Sequence, residues 1–232
     1  MKSVIVKFVA AAFMVSLLAG CQTTGLSFRE KGVTTYSRYV LSLPANTNAP
    51  APLKLPARLA VAQVGEAAPT DQVLQELLRH PEIFSSAFGL PLPAEDEPRY
   101  GWREHAPPID YAAHLRAIQL MARNEGADYI FLFGGNLDSW RKNNVLSIFD
   151  LTIVGGVILP GTKISLEGKA AGILLETTHL QPVSILNVET NASSYSPDLL
   201  VDGKEAEMRV EMRDKLMADL TTKLMHTVSQ PH

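Results

Sequence analysis

Short apolar runs and helical stripes alternate along the chain from residue 57 to residue 93. The stretch ARLAVAQVG, 57–65, follows a proline and ends at a glycine, and an apolar run with such boundaries is typical of a buried strand. One valine and three leucines at helical spacing in 71–80 then predict a helix, which Pro81 stops. Because 82–93 predicts another short strand, we expect the domain to open with a strand, a helix and a strand.

A helix followed directly by a strand is the clearest pattern in the middle of the chain. The apolar positions of 110–125 recur at helical spacing, and Gly126 can end the helix in the left-handed conformation. In ADYIFLFGGN, 127–136, apolar residues occur at both parities, which indicates a strand covered on both faces. We expect a tight turn at the motif Phe133-Gly134-Gly135-Asn136, since two glycines without a nearby lysine are weak evidence for a phosphate-binding loop.

Farther along the chain, apolar and polar residues alternate with the period of a strand. The segment 145–160 predicts a long strand with a bulge or bend at its Gly-Gly pair, and 162–177 and 181–190 predict two more strands. In 162–169, lysine, serine and glutamate side chains alternate with isoleucine, leucine and glycine. One face of this strand is therefore expected to contact water, and its neighbours are expected to be antiparallel.

A long amphipathic helix is predicted over about 203–226. Its simplest role is to cover the sheet, and the alternative is a free helix that docks into a partner. Together the elements predict an α/β (α+β) fold, in which helices pack on a mixed, partly antiparallel sheet and the chain ends in this helix. The predicted apolar stripe of the helix consists of Ala206, Val210, Met217, Leu220 and Leu224.

The first 20 residues have the layout of a secretory signal peptide. Lys2 and Lys7 precede an apolar run, 8–18, which at about 11 residues is too short to span a bilayer as a helix. The motif Leu18-Ala19-Gly20-Cys21 follows, and it resembles the lipobox of bacterial lipoproteins. This resemblance implies cleavage before the cysteine, acylation of its sulfur and amino group, and no cofactor other than this covalent lipid.

Two neighbouring residues bear on covalent structure and location. Cys21 is the single cysteine in the 232 residues, so the chain can have no internal disulfide and no thiolate metal cluster. Gln22 stands where an aspartate would mark retention in the inner membrane by resemblance to Gram-negative sorting rules. We therefore expect a lipid anchor in the outer membrane with the domain facing the periplasm.

The composition divides the chain into three parts. Residues 1–20 are expected to be the signal peptide, and 21–56, which is polar and contains several prolines, is expected to be the lipidated cysteine with a flexible tether. Within the tether, 36–44 is expected to form a short strand laid against the domain. Residues 57–232 are expected to form a single periplasmic domain.

Charge and motifs argue against nucleic-acid binding and against the familiar enzyme classes. The formal net charge is −3 without any basic block, so a polyanion has no electrostatic footprint on this chain. The sequence has no G-x-S-x-G, H-E-x-x-H, P-loop or C-x-x-C motif, and its six histidines lack the i,i+4 spacing of a helical metal site. We expect no catalytic residue and no metal.

Aromatic and arginine residues in two places are candidates for partner binding, because such side chains supply most of the hot spots in protein interfaces. The first place is the long charged loop 94–108, and the second follows the third predicted strand. The alternative is that both clusters pack on the core or fold back over the base of the loop. The candidate residues are Tyr100, Trp102, Arg103, Trp140 and Arg141.

Three segments behind the lipobox, RLAVAQVGE, GADYIFLFGG and LTIVGGVILPGTKISLEGKAAGILLET, carry a resemblance to known proteins. In this order they resemble the rhombotarget lipoproteins and, more distantly, the periplasmic α/β domain of the curli-secretion lipoprotein and of lipoprotein activators of penicillin-binding proteins. The resemblance implies a mixed sheet with helices packed on it, and binding or assembly without catalysis.

The leading hypothesis is therefore an outer-membrane lipoprotein whose periplasmic domain binds an envelope protein and is not an enzyme. One alternative is a self-oligomerising secretion or pore-associated component, in which copies of the chain form a homo-oligomer. The other alternative is an envelope hydrolase with an unrecognised site.

Overall fold

The computed structural model describes residues 32–44, 53–66, 68–92, 109–143, 161–197 and 200–230. Three sets of predicted features lie outside these residues. They are the signal peptide with the Leu18-Ala19-Gly20-Cys21 motif, the loop 94–108 with Tyr100, Trp102 and Arg103, and the strand predicted over 145–160.

The described elements confirm the predicted fold class, which is a mixed sheet with helices packed on it and a long C-terminal helix. The helices are α1 Gly32–Leu41, α2 Asp71–Leu78, α3 Tyr111–Asn124 and α4 Val201–Ser229. The strands are β1 Ala57–Gln63, β2 Phe84–Gly89, β3 Tyr129–Asn143, β4 Thr162–Glu176 and β5 Pro182–Ser196.

The sheet has the strand order β2-β1-β3-β4-β5. Strand β1 pairs in parallel with β2 and with β3, whereas β3, β4 and β5 pair antiparallel as the alternating pattern predicted. Each of these three antiparallel strands is 15 residues long, while β1 has 7 residues and β2 has 6. The antiparallel strands therefore extend well beyond the parallel part of the sheet.

Helices cover both faces of the parallel part of the sheet, which explains the apolar residues at both parities in β1 and β3. Phe131 and Phe133 point to the face on which α2 and α4 pack, and their rings stack at 5.3 Å. Ile130 and Leu132 point to the other face, on which α1 and α3 pack. The core therefore consists of two layers, one on each side of the sheet.

The first helix corrects the prediction of a short strand at 36–44. Residues 32–41 form α1, and Tyr36 and Tyr39 are buried against the sheet. Burial raises the pKa of Tyr36 to about 12, so its hydroxyl stays neutral. The folded part of the chain thus includes residues that were assigned to the tether.

The Gly-Gly pair of β3 also differs from its prediction. Gly134 and Gly135 continue the strand and pair with Ala171 and Ala170, so there is neither a tight turn nor a phosphate-binding loop here. A Cβ on Gly135 would lie 3.1 Å from the backbone oxygen of Lys169, so this glycine permits a close approach between strands. Gly126, by contrast, has φ +71° after α3, as predicted.

Helix α4 covers the sheet as predicted, but two of the five residues of its predicted apolar stripe are not buried. Met217, Leu220 and Leu224 are buried, whereas Ala206 and Val210 are exposed. The first turns are buried instead through Glu205, Met208 and Met212. A glutamate on the buried face breaks the apolar pattern from which the stripe was predicted.

Within the described residues, none of the helices is both long and apolar enough to cross a membrane.

Candidate functional site

The far ends of the three antiparallel strands carry the candidate site. Side chains on a strand alternate between the two faces of the sheet. We call the open face the set of side chains that continue the α1 and α3 side of the sheet beyond that core. The open face consists of the even-numbered residues 136–142 of β3, the odd-numbered residues 163–169 of β4 and the odd-numbered residues 189–195 of β5.

The opposite face of the same strands is covered by α4, where an ion network joins β3 to the helix. The Glu205 side chain is 6% exposed, and its carboxylate accepts from Ser139 Oγ at 2.7 Å and from Arg141 Nε at 2.7 Å. The Arg209 guanidinium donates to the same carboxylate at 2.8 Å and also to the Ser139 hydroxyl. Asp202 accepts from Arg141 Nη2 at 2.7 Å at the exposed end of the network.

The network determines the charge state of its members. Burial disfavours the Glu205 carboxylate anion, but the hydrogen bonds from Ser139, Arg209 and Arg141 outweigh it, so the pKa of Glu205 lies below its ordinary value. Burial likewise opposes the charge of Arg141, and the bonds to Asp202 and Glu205 raise its pKa above the usual value. Glu205 is therefore a paired anion at neutral pH, and this paired charge makes its burial tolerable.

Trp140 and Arg141, predicted together as binding residues, lie on opposite faces. The guanidinium of Arg141 is engaged by two carboxylates of α4, which corresponds to the alternative in which the cluster folds back on the domain. Trp140 is 49% exposed on the open face. The structure thus brings Trp140, but not Arg141, to a free surface.

A shallow concavity of about 400 Å³ lies beside Trp140 on the open face. Its volume is in the range of small-ligand and side-chain pockets. Hydroxyl, amide and carboxylate groups surround the ring, so the concavity can combine an apolar contact with directed hydrogen bonds. Its lining includes Trp140, Ser165, Glu167, Glu189, Asn191 and Ser193.

Charges on the open face are distributed unevenly. Lys169 donates to Glu167 at 2.8 Å, and this hydrogen bond raises the pKa of Lys169. Lys142 lies directly opposite Lys163 across the strand pair, and neither lysine has a carboxylate partner among the described residues. Like charges directly opposite each other are unfavourable. This end of the face is therefore positively charged, whereas Asp138 and Glu167 lie opposite each other farther along the same strand pair.

Sequence reasoning missed Ser139, Glu205 and Arg209. A glutamate and an arginine four residues apart on a predicted helix were available as a signal, but such pairs are common on exposed helix faces. Only the packing of α4 against β3 shows that the Glu205 and Arg209 side chains point toward the sheet. In the described ranges, no three His, Cys, Asp or Glu side chains are grouped as metal ligands.

Comparison with known proteins finds a distant structural similarity and no match to a family. No family model matches the sequence, and no curated protein matches it either. Among solved structures, the chain is similar to a minor lipoprotein from Acinetobacter baumannii, with 11% identity and a TM-score of 0.37 over 75% of this chain and 90% of that one. The resemblance to the rhombotarget and curli-secretion lipoproteins stays a prediction.

Proposed function

We propose that the chain is a lipoprotein of the outer membrane, anchored through Cys21, whose periplasmic domain binds an acidic segment of an envelope protein on the open face and catalyses no reaction. The observation that carries the anchor is the motif Leu18-Ala19-Gly20-Cys21 directly after an apolar run. Two or three acyl chains hold a protein to a membrane durably, whereas one chain does so only marginally.

The open face supports the binding role. Trp140 offers a half-exposed aromatic ring, and tryptophan is among the residues that contribute most to interface energy. Lys142 and Lys163 supply two positive charges that no described carboxylate neutralises. An acidic segment with an apolar side chain beside its carboxylates complements both features, since electrostatic complementarity fixes the register and the choice of partner.

The anchor is tested by the Cys21→Ser variant in cells. We expect the wild type to incorporate radiolabelled palmitate and to fractionate with the outer membrane, and the variant to lose the label and keep its signal peptide. Gln22→Asp is the matched control for location, since it leaves the cysteine in place and should move the labelled protein to the inner membrane. A labelled Cys21→Ser protein, or an unlabelled wild type, would contradict lipidation at this residue.

Binding is tested by a photo-crosslinking amino acid introduced at Ser165 or at Glu167, which line the concavity beside Trp140. Both positions should capture the same protein, and the same probe at Val210, which is exposed on α4, should not. With that protein purified, Trp140→Ala should weaken binding roughly 30-fold, which is the threshold effect of a hot spot. Unchanged binding in a Lys142→Glu, Lys163→Glu variant would exclude an acidic segment.

A further inference from the structure

The two edge strands of the sheet differ in the length of unpaired backbone that they expose. β2 is short, at 6 residues, whereas β5 has 15 residues and no described strand on its outer side. An unpaired edge presents backbone N–H and C=O groups to any extended chain, and natural proteins usually blunt such an edge with lysine, proline, bulges or a short strand.

Strand β5 has few of these protective features. It contains a single charged residue, Glu189, no lysine, and a proline only at its first position. Its one irregularity of pairing lies at that same end, opposite Leu174 and Leu175. Most of the strand is therefore a long, nearly uncharged edge.

Two large hydrophobic side chains are exposed on this edge strand. Ile185 is 57% exposed and Tyr195 is 55% exposed. They lie opposite Ile173 and Lys163 in the β4 ladder, which places both on the same side of the sheet. Thr190 lies midway between them in the sequence.

We propose that β5 pairs antiparallel with β5 of a second copy of this chain, about a two-fold axis at Thr190. In this register Ile185 of each copy lies across from Tyr195 of the other, and aromatic–β-branched pairs across strands are favourable. Thr190 pairs with its own equivalent, which is also a favourable combination. The interface is isologous, as closed two-fold dimers require.

Like-charge repulsion and the length of the strand select this register among its neighbours. The two strands can shift against each other only in steps of two residues. The reason is that the backbone groups that point outward from one strand must meet the outward groups of the other strand. An axis at Glu189 would place the two carboxylates directly against each other. An axis at Asn191 would leave Ile185 beyond the end of the opposing strand. With the axis at Thr190, Glu189 lies opposite Asn191, and no like charges meet.

One side chain of the same molecule already touches β5 backbone. Lys223 donates to the backbone oxygen of Asn187 at 2.9 Å. A carbonyl oxygen has two lone pairs, so this contact leaves one lone pair for a ladder bond. The pairing does not require the lipid, but anchoring both copies in one membrane, which rests on the proposed function, raises their effective concentration.

Disulfide trapping tests the register. Full-length chains carrying Cys21→Ser and one new cysteine are purified in detergent, oxidised and separated without reductant. Thr190→Cys should form a covalent dimer, because residues paired across antiparallel strands have Cα atoms within the range that a disulfide spans. Ala192→Cys is the matched control, since its two copies would be about 13 Å apart along the strands.

Each outcome of the trapping experiment either supports or overturns the proposal. At least about tenfold more dimer at 190 than at 192 supports the proposal, given the short reach of a disulfide. Equal trapping at both positions indicates random collision and overturns it, and a maximum elsewhere on β5 overturns the Thr190 axis. As a second readout, sedimentation of the Cys21→Ser chain should show that Asn191→Glu weakens the dimer more than Asn187→Glu. A chain that stays monomeric at all concentrations excludes the pairing, whatever the anchor test gives.

Discussion

The two faces of the long antiparallel strands carry similar polar residues, but the surroundings of these residues differ between the faces. On the covered face Glu205 lies in a network with Ser139, Arg141 and Arg209 and is nearly inaccessible to water. On the open face Lys142 and Lys163 oppose each other without a described partner. The carboxylate of the covered face is therefore paired within the molecule, while two lysines of the open face have no described carboxylate partner.

This difference separates residues that hold the fold together from residues that are exposed and available for contact, which the sequence alone could not do. A polar group in an internal network contributes to holding the fold together, and its removal leaves other buried groups unpaired. A polar or aromatic group on the open face costs the fold little when it changes. Trp140 and Arg141 are adjacent in sequence, yet they belong to different classes by this criterion.

The largest expected effect comes from the centre of the network. Glu205→Ala leaves two arginines without their main acceptor, and breaking a buried ion pair typically lowers the free energy of unfolding by about 3–5 kcal/mol. Urea unfolding at pH 7 measures the change. Glu207→Ala is the matched control on the same helix, because Glu207 pairs with Lys204 at the surface and should have no measurable effect. Equal losses in the two variants would mean that the network does not stabilise the fold.

The second prediction compares the adjacent residues of β3. Arg141→Ala removes charged hydrogen bonds to Glu205 and Asp202, and we expect it to lower the free energy of unfolding by roughly 1.5–3 kcal/mol. Trp140→Ala removes a half-exposed ring and should cost less than about 1 kcal/mol, as surface substitutions usually do. Thermal or urea unfolding of both variants gives the order, and the reverse order would contradict the assignment of the two faces.

Most of the fold could be predicted from the sequence, because the periods of 2 and 3.6 residues are strong signals in long elements. The helix α1 was missed because GVTTYSRYVL is rich in β-branched and aromatic residues, which favour a strand. The spacing of Tyr36, Tyr39, Val40 and Leu43 follows a helical stripe and could have shown the helix. Tertiary packing of the two tyrosines on the sheet overrides the local preference.

The candidate site could be predicted only in part, for a physical reason. Trp140 was chosen by residue type, and the structure places it on a free face. The roles of Arg141 and Glu205 depend on how β3 meets α4, residues more than 60 positions apart in the chain. A prediction from hydrophobic periodicity assigns every glutamate to an exposed position, including one that is buried and paired. No pattern in a single sequence therefore reveals this network.

The smallest expected effect is a dependence of the network on pH. Because the folded-state pKa of Glu205 lies below its ordinary value of 4.5, its ionised form stabilises the fold above that value, and the contribution is lost as the pH falls through the folded pKa. The difference in unfolding free energy between the wild type and Glu205→Gln should therefore be largest near pH 7 and shrink below pH 4.5. The contributions of carboxylates outside the network are the same in both proteins and cancel. A difference that stays constant down to pH 3 would show that the charge of Glu205 contributes nothing, and the two faces would then differ only in burial.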